Sequence, residues 1–171
     1  MGDDVEVGIG TIVTVRQAEL AIAAGAHYLV TPIVNLDVIA LAAREGVPVF
    51  PGGLTPTELS GAWAAGASAV KIFPAETVGP KYGSHLRGPF PDLEFVPSGG
   101  IGLADIPLWL QARVLAVSLG SPLVGDALKG GSLWALAERA QPVSSLERMP
   151  WRSNERGIRS PPRWCGITPA L

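Results

Sequence analysis

Short apolar runs alternate with amphipathic stretches along the first 143 residues. The apolar runs predict strands at Val5–Ile9, Tyr28–Thr31, Val47–Phe50, Ala67–Phe73, Glu94–Pro97 and Val114–Leu119. Between them, helical spacing covers Val15–Ala24, Leu36–Arg44, Pro56–Ala65, Lys81–Leu86, Ala104–Gln111 and Asp126–Ala140. A Gly, Pro or Thr cluster follows each strand: "GIGT", "TPI", "PGGLTPT", "FPAE", "PSGG", "LGSP". Thr55, three residues before Glu58, forms a capping-box signature for the third helix. The phrases "AELAIAAGAHYLVTP" and "TELSGAWAAGASAVKIFP" resemble each other, a helix–AAGA–strand unit used twice. Strands alternating with helices in this way pair in parallel through right-handed crossovers. No GxGxxG joins a strand to a helix, so a dinucleotide-binding open sheet has little support. A barrel of βα units is the better expectation, and barrels carry their chemistry at the C-terminal ends of the strands.

The pattern breaks after about Pro142. Residues 144–171, "SSLERMPWRSNERGIRSPPRWCGITPAL", hold no helical or strand period. The expected division is a barrel domain over 1–143 and an irregular, disordered tail over 144–171. An altered reading frame at the end of the gene and a partner-binding tail are the other readings of that segment. Charge marks the same boundary: the tail carries five Arg and two Glu, whereas the whole chain has 13 basic and 15 acidic residues and a net charge of −2. That balance argues against nucleic acid or a membrane surface as a partner. One cysteine, Cys165, excludes an internal disulfide and suits a reducing, cytoplasmic compartment. No apolar run reaches the roughly 18 residues of a membrane helix.

Lys71 is the residue out of place. In "AAGASAVKIFPAE" it sits inside an apolar run, while Lys81 and Lys129, the other two lysines, lie in polar surroundings. Desolvation disfavours an ammonium, so a lysine here offers a neutral amine that attacks a carbonyl and then serves as an electron sink. Strand alternation sets Ala67, Ala69 and Lys71 on one face and Val70 and Ile72 on the other. Downstream, "VPSGG" (Val96–Gly100) and "SLGSPLVG" (Ser118–Gly125) each place a hydroxyl and glycines at a strand end, where backbone N–H groups approach an anion closely.

"VKIFPAE", with "GIGT" upstream and "FVPSGGI" and "LGS" downstream, resembles the 2-keto-3-deoxy-6-phosphogluconate and 4-hydroxy-2-oxoglutarate aldolases. The resemblance covers roughly residues 5–140. It implies a (β/α)8 barrel and a class I lyase that needs no cofactor or metal, acts on a small 2-keto acid and assembles as a homotrimer. It implies that Lys71 forms the Schiff base, that Thr11 and Pro32 lie at the bound pyruvate unit, and that Ser98, Gly99, Gly100, Gly120 and Ser121 surround the substrate's phosphate. The galactonate epimer and the unphosphorylated 4-hydroxy-2-oxoglutarate are alternative substrates. The family's second strand carries a glutamate acid/base and a carboxylate-binding arginine in a pattern like E-V-T-x-R. Nothing in this sequence matches that strand, so the expectation is a barrel with strands three to eight present, and an inactive truncated barrel is the competing reading. Glu76 reads as a loop carboxylate, Arg16 as a solvated charge and Thr55 as a cap; His27 and His85 show no metal-ligand spacing.

Overall fold

Polar caps start the first three helices. Thr14 caps α1 (Val15–Ala23) and Thr55 caps α3 (Pro56–Ala64); each hydroxyl accepts from the third helical N–H while Gln17 or Glu58 accepts in return from the cap N–H. Asn35 caps α2 (Leu36–Arg44) by accepting from the Asp37 and Val38 N–H groups. The computed structural model describes residues 6–144. The irregular segment expected over 144–171 therefore lies outside the described residues, save Ser144.

The repeated AAGA phrase is a helix stop. Gly25 (φ 85°) donates to the Ile22 carbonyl at 2.9 Å and Ala26 to Ala21 at 3.1 Å; Gly66 (φ 103°) and Ala67 repeat this on Trp63 and Ala62. Gly46 and Val47 make the same pair of bonds to Ala43 and Ala42 after α2, a third copy that the letters conceal. These are Schellman closures, in which a left-handed residue frees the chain to turn back into a strand.

Six short strands follow in parallel: β1 (Gly8–Ile9), β2 (Tyr28–Val30), β3 (Val49–Phe50), β4 (Gly52–Gly53), β5 (Val70–Ile72) and β6 (Phe95–Pro97), ordered β1-β2-β3 and β4-β5-β6. Only Pro51 separates β3 from β4, and the segment serves both sides. Pro48 and Phe50 carbonyls accept from Leu29 and Thr31 of the β2 side at 2.8 and 3.2 Å. Pro51 and Gly53 carbonyls accept from Lys71 and Phe73 of the β5 side at 2.7 and 3.0 Å. The two triplets are thus one continuous parallel array. Ser98 extends it by an isolated bridge to Ser118, with Leu115 and Ser118 donating to Phe95 and Pro97.

Register divides the array into two faces. Leu29, Val49, Val70, Ile72 and Phe95 pack into the core against α1, α2 and α3, where Ala18, Val38, Leu59 and Ala62 are buried. Burying each large strand side chain contributes about 1.5–3 kcal/mol. Tyr28, Val30, Phe50, Gly52, Lys71 and Val96 share the opposite face, and Val30, Phe50, Lys71 and Val96 there are only half-buried.

Several expectations need correction. The strand expected over Ala67–Phe73 is ordered only at Val70–Ile72, because the chain bends at Ser68 and Ala69. Successive bonds run Ser68 to Val49 and Lys71 to Pro51, so three residues face two and the alternation does not carry back to Ala67. The strand expected over Val114–Leu119 is irregular, paired by the single Ser118 bridge. The helix expected over Asp126–Ala140 is broken by Gly130, φ 83°, into a turn at Ala127–Lys129 and α7 (Leu133–Ser144). α7 carries Pro142 within it rather than ending before it. The remaining helices are α4 (Pro80–Leu86), α5 (Ile106–Gln111) and α6 (Ser121–Val124); the last was not expected.

Candidate active site

Lys71 is the middle residue of β5, paired with Gly52 on one side and Val96 on the other. Its backbone is fixed by the bond to the Pro51 carbonyl, and its side chain stands on the half-buried face. Burial lowers its pKa from 10.5 to about 8. Among the described residues no carboxylate lies within ion-pair distance of it. Nζ instead rests 4.2 Å from the centroid of the Phe73 ring. At neutral pH a useful fraction of this amine is therefore unprotonated, as a carbonyl nucleophile requires.

The neighbouring strand ends close around it. Gly52 is a glycine for space: a Cβ there would lie 2.7 Å from the Thr31 carbonyl oxygen and the Pro32 carbonyl carbon. This pinch brings Pro32, which follows β2, against the residue paired with Lys71. The Thr31 hydroxyl, buried, donates to the Ile33 carbonyl, and Ile33 itself is exposed. Thr11 follows β1 in a left-handed conformation, φ 59°, with an exposed side chain. On the other side, Ser98 follows β6; its N–H donates to Ile72 and its hydroxyl to the Ser118 hydroxyl at 3.2 Å. Gly99 (φ 91°) and Gly100 (φ 71°) turn the chain so that Ser98 and Gly99 carbonyls accept from Ala75 and Glu76. Gly100 abuts the Glu76 carboxyl, which lies in an exposed turn after β5. Gly120 and Ser121 open α6, with nothing within 4 Å of where a Gly120 Cβ would stand. Apart from Lys71 within β5, the expected residues thus sit just past the C-terminal ends of β1, β2 and β6 or just after the bridge at Ser118. Hydrogen bonds and close approaches tie Pro32, Ser98, Gly99 and Gly100 to β5 and its flanks, and Thr11, Gly120 and Ser121 lie further along the rim.

A family model described as "KDPG and KHG aldolase" matches residues 2–137. The chain belongs to the KDPG and KHG aldolase family. A Treponema pallidum 2-dehydro-3-deoxy-phosphogluconate aldolase is 44% identical over 115 residues, 66% of this chain and 55% of that protein. The Escherichia coli 2-dehydro-3-deoxy-6-phosphogalactonate aldolase is 35% identical over 123 residues, 71% of this chain and 60% of that protein. Among solved structures, the Legionella pneumophila KDPG aldolase with pyruvate captured as a covalent carbinolamine superposes with a TM-score of 0.75 at 29% identity, covering 83% of this chain and 70% of that one. The chain thus spans 55–60% of the length of these two curated aldolases. The fold is the TIM type of these KDPG aldolases, α/β with parallel strands.

Two features of this aldolase-family chain escaped the sequence reading. Phe73 sits beside Lys71 on the same face, a contact that spacing by two residues would have suggested. Ser118 partners Ser98, which no local signal announces because the two segments meet only in the fold. Arg16, at 3.4 Å from Glu19 on the exposed side of α1, is a solvated charge as expected, and Thr55 is a cap.

Proposed function

We propose that this chain carries the imine-forming part of a class I aldolase site. The reaction is reversible cleavage of a 2-keto-3-deoxy-6-phospho-sugar acid to pyruvate and glyceraldehyde 3-phosphate. The observation that carries this is Lys71: a half-buried amine in a barrel strand, with its pKa near 8 and, among the described residues, no carboxylate in ion-pair reach. The Nζ lone pair attacks the C2 ketone, the carbinolamine loses water, and a protonated imine results. A base takes the C4 hydroxyl proton, the C3–C4 bond breaks, and its electrons flow to the imine as an enamine. Protonation at C3 and hydrolysis release pyruvate. Thr11 and Pro32 bound the pyruvate end; Ser98, Gly99, Gly100, Gly120 and Ser121 hold the phosphate, whose binding energy orients the reacting bond. The segments at Gly8–Ile9, Tyr28–Val30, 49–53, Val70–Ile72 and Phe95–Pro97, with the bridge at Ser118, take the places of strands three to eight of a (β/α)8 barrel. By the family resemblance, the glutamate acid/base and the carboxylate-binding arginine belong to an earlier strand of that barrel. The protein is cytoplasmic and assembles as a homotrimer. Among the described residues no helix is long and apolar enough to cross a membrane.

A second reading is favoured by the E. coli relative's name: the substrate is the galactonate epimer. Borohydride reduction in the presence of pyruvate tests the shared core of both readings. We expect a stable lactyl-type adduct on Lys71 and not on Lys81 or Lys129 by peptide mass mapping. Equal labelling of the three lysines, or none in folded protein, would remove the class I assignment.

A further inference from the structure

We infer that Phe73 is a positioning residue that holds the cationic forms of Lys71, ammonium and iminium, against its ring face. The inference rests on the reading of Lys71 as the imine-forming residue, and deepens it.

The ring centroid is 4.2 Å from Nζ, inside the roughly 6 Å over which an aromatic face attracts a cation. Residues 71 and 73 reach the same side of β5, so the contact is set by backbone geometry rather than by a long flexible reach. The ring is seated from behind. A Cβ at Gly99 would lie 3.1 Å from ring atoms Cδ2 and Cε2, and the two backbone bonds from Ala75 and Glu76 to Ser98 and Gly99 hold that loop against the turn after β5. Any side chain at position 99 would press on the ring, so the absence of one leaves Phe73 free to occupy this place. Among the described residues Lys71 has no ion pair, which leaves the ring face as the group that answers its charge.

The chemistry gives the contact a use. Lys71 passes through two charged states, the resting ammonium and the protonated imine, and through a neutral amine and a neutral carbinolamine between them. When the carbinolamine hydroxyl takes up a proton from solvent and departs as water, the nitrogen lone pair forms the C=N bond and the positive charge returns to nitrogen. A ring quadrupole attracts the charged members of this series and not the neutral ones. Phe73 therefore draws the equilibrium from carbinolamine towards iminium while restraining Nζ at one end of the pocket. A carboxylate in the same place would stabilise the ammonium far more strongly and remove the free amine that the first step needs.

Fluorinated phenylalanines placed at position 73 of the full chain test this, because successive fluorination drains the ring quadrupole with little change of shape. Two readouts against pH are taken at Lys71 by peptide mass mapping: acylation by acetic anhydride, which follows the free amine, and borohydride trapping with pyruvate. The acylation midpoint is expected to move stepwise to lower pH, by about 0.4–1.5 pH units at full fluorination. Trapped adduct at saturating pyruvate is expected to fall across the same series, and F73Y, which keeps a ring face, is expected to hold the native midpoint. A midpoint that does not respond to fluorination would overturn the role of Phe73, even if pyruvate labels Lys71 normally. A stepwise midpoint without any pyruvate adduct would keep the ring contact and sink the aldolase reading instead.

Discussion

An ammonium at Lys71 gives up hydration on folding and meets an aromatic face instead of a carboxylate. The unfolded chain keeps that proton to about pH 10.5, the folded chain only to about 8. Below pH 8 the lysine is mostly charged in both states and the folded state bears nearly the whole cost of burial. Between 8 and 10.5 the unfolded chain binds more protons, so stability rises with pH and the cost fades. K71M is therefore expected to be more stable than the native chain by about 1–2 kcal/mol at pH 7, a figure reduced for the solvent that still reaches the side chain. The difference is expected to vanish near pH 10.5; paired urea titrations at pH 7 and pH 10.5 measure it. Lys71 was legible because an apolar run has no use for a charge. Gly52 was not, because the crowding that demands a glycine comes from Thr31 and Pro32, twenty residues away in the chain and adjacent only once β2 and β4 are aligned.

Helix α3 shows how much a local signal can settle. Thr55 and Glu58 exchange bonds as their spacing requires, and the Glu58 carboxylate also accepts from the Leu54 N–H at 3.1 Å and the Thr55 hydroxyl at 2.7 Å. The Tyr82 hydroxyl donates to the Leu54 carbonyl at 2.5 Å, tying α4 to the same turn. T55A is expected to cost about 1 kcal/mol at pH 7, read from the urea midpoint. Bonds from Thr55 hold the Glu58 pKa below its usual 4.5, so this contribution is present above that pH and is lost as pH falls through the depressed value. As pH falls the gap between variant and native chain is expected to narrow, leaving the part that comes from the bond between the Glu58 N–H and the Thr55 hydroxyl. Elements governed by distant partners were less legible. The last strand expected, Val114–Leu119, has residues suited to a ladder yet pairs only at Ser118. Arg87 pins the loop before β6 by donating to Pro91 and Leu93 at 3.1 and 2.7 Å and to Arg113, a set of carbonyls that no motif advertises.

At the scale of the molecule, the alternation of strand and helix carried the parallel order and put the candidate site on one rim, since every βα unit turns at the same end of the array. The division of faces was harder to see. Leu29 and Val30 are both apolar, yet one is sealed in the core and the other half-open, because strand register decides it rather than side-chain type. That same register runs through Val49–Gly53, where alternate carbonyls point to opposite neighbours. The two triplets of strands consequently have no independent seam: loosening this one segment releases the Thr31 amide on one side and the Lys71 amide on the other. Deuterium uptake in the folded chain is thus expected to proceed at both amides through a single opening event of common free energy, and a residue two strands from the lysine would report on how often its strand lets go.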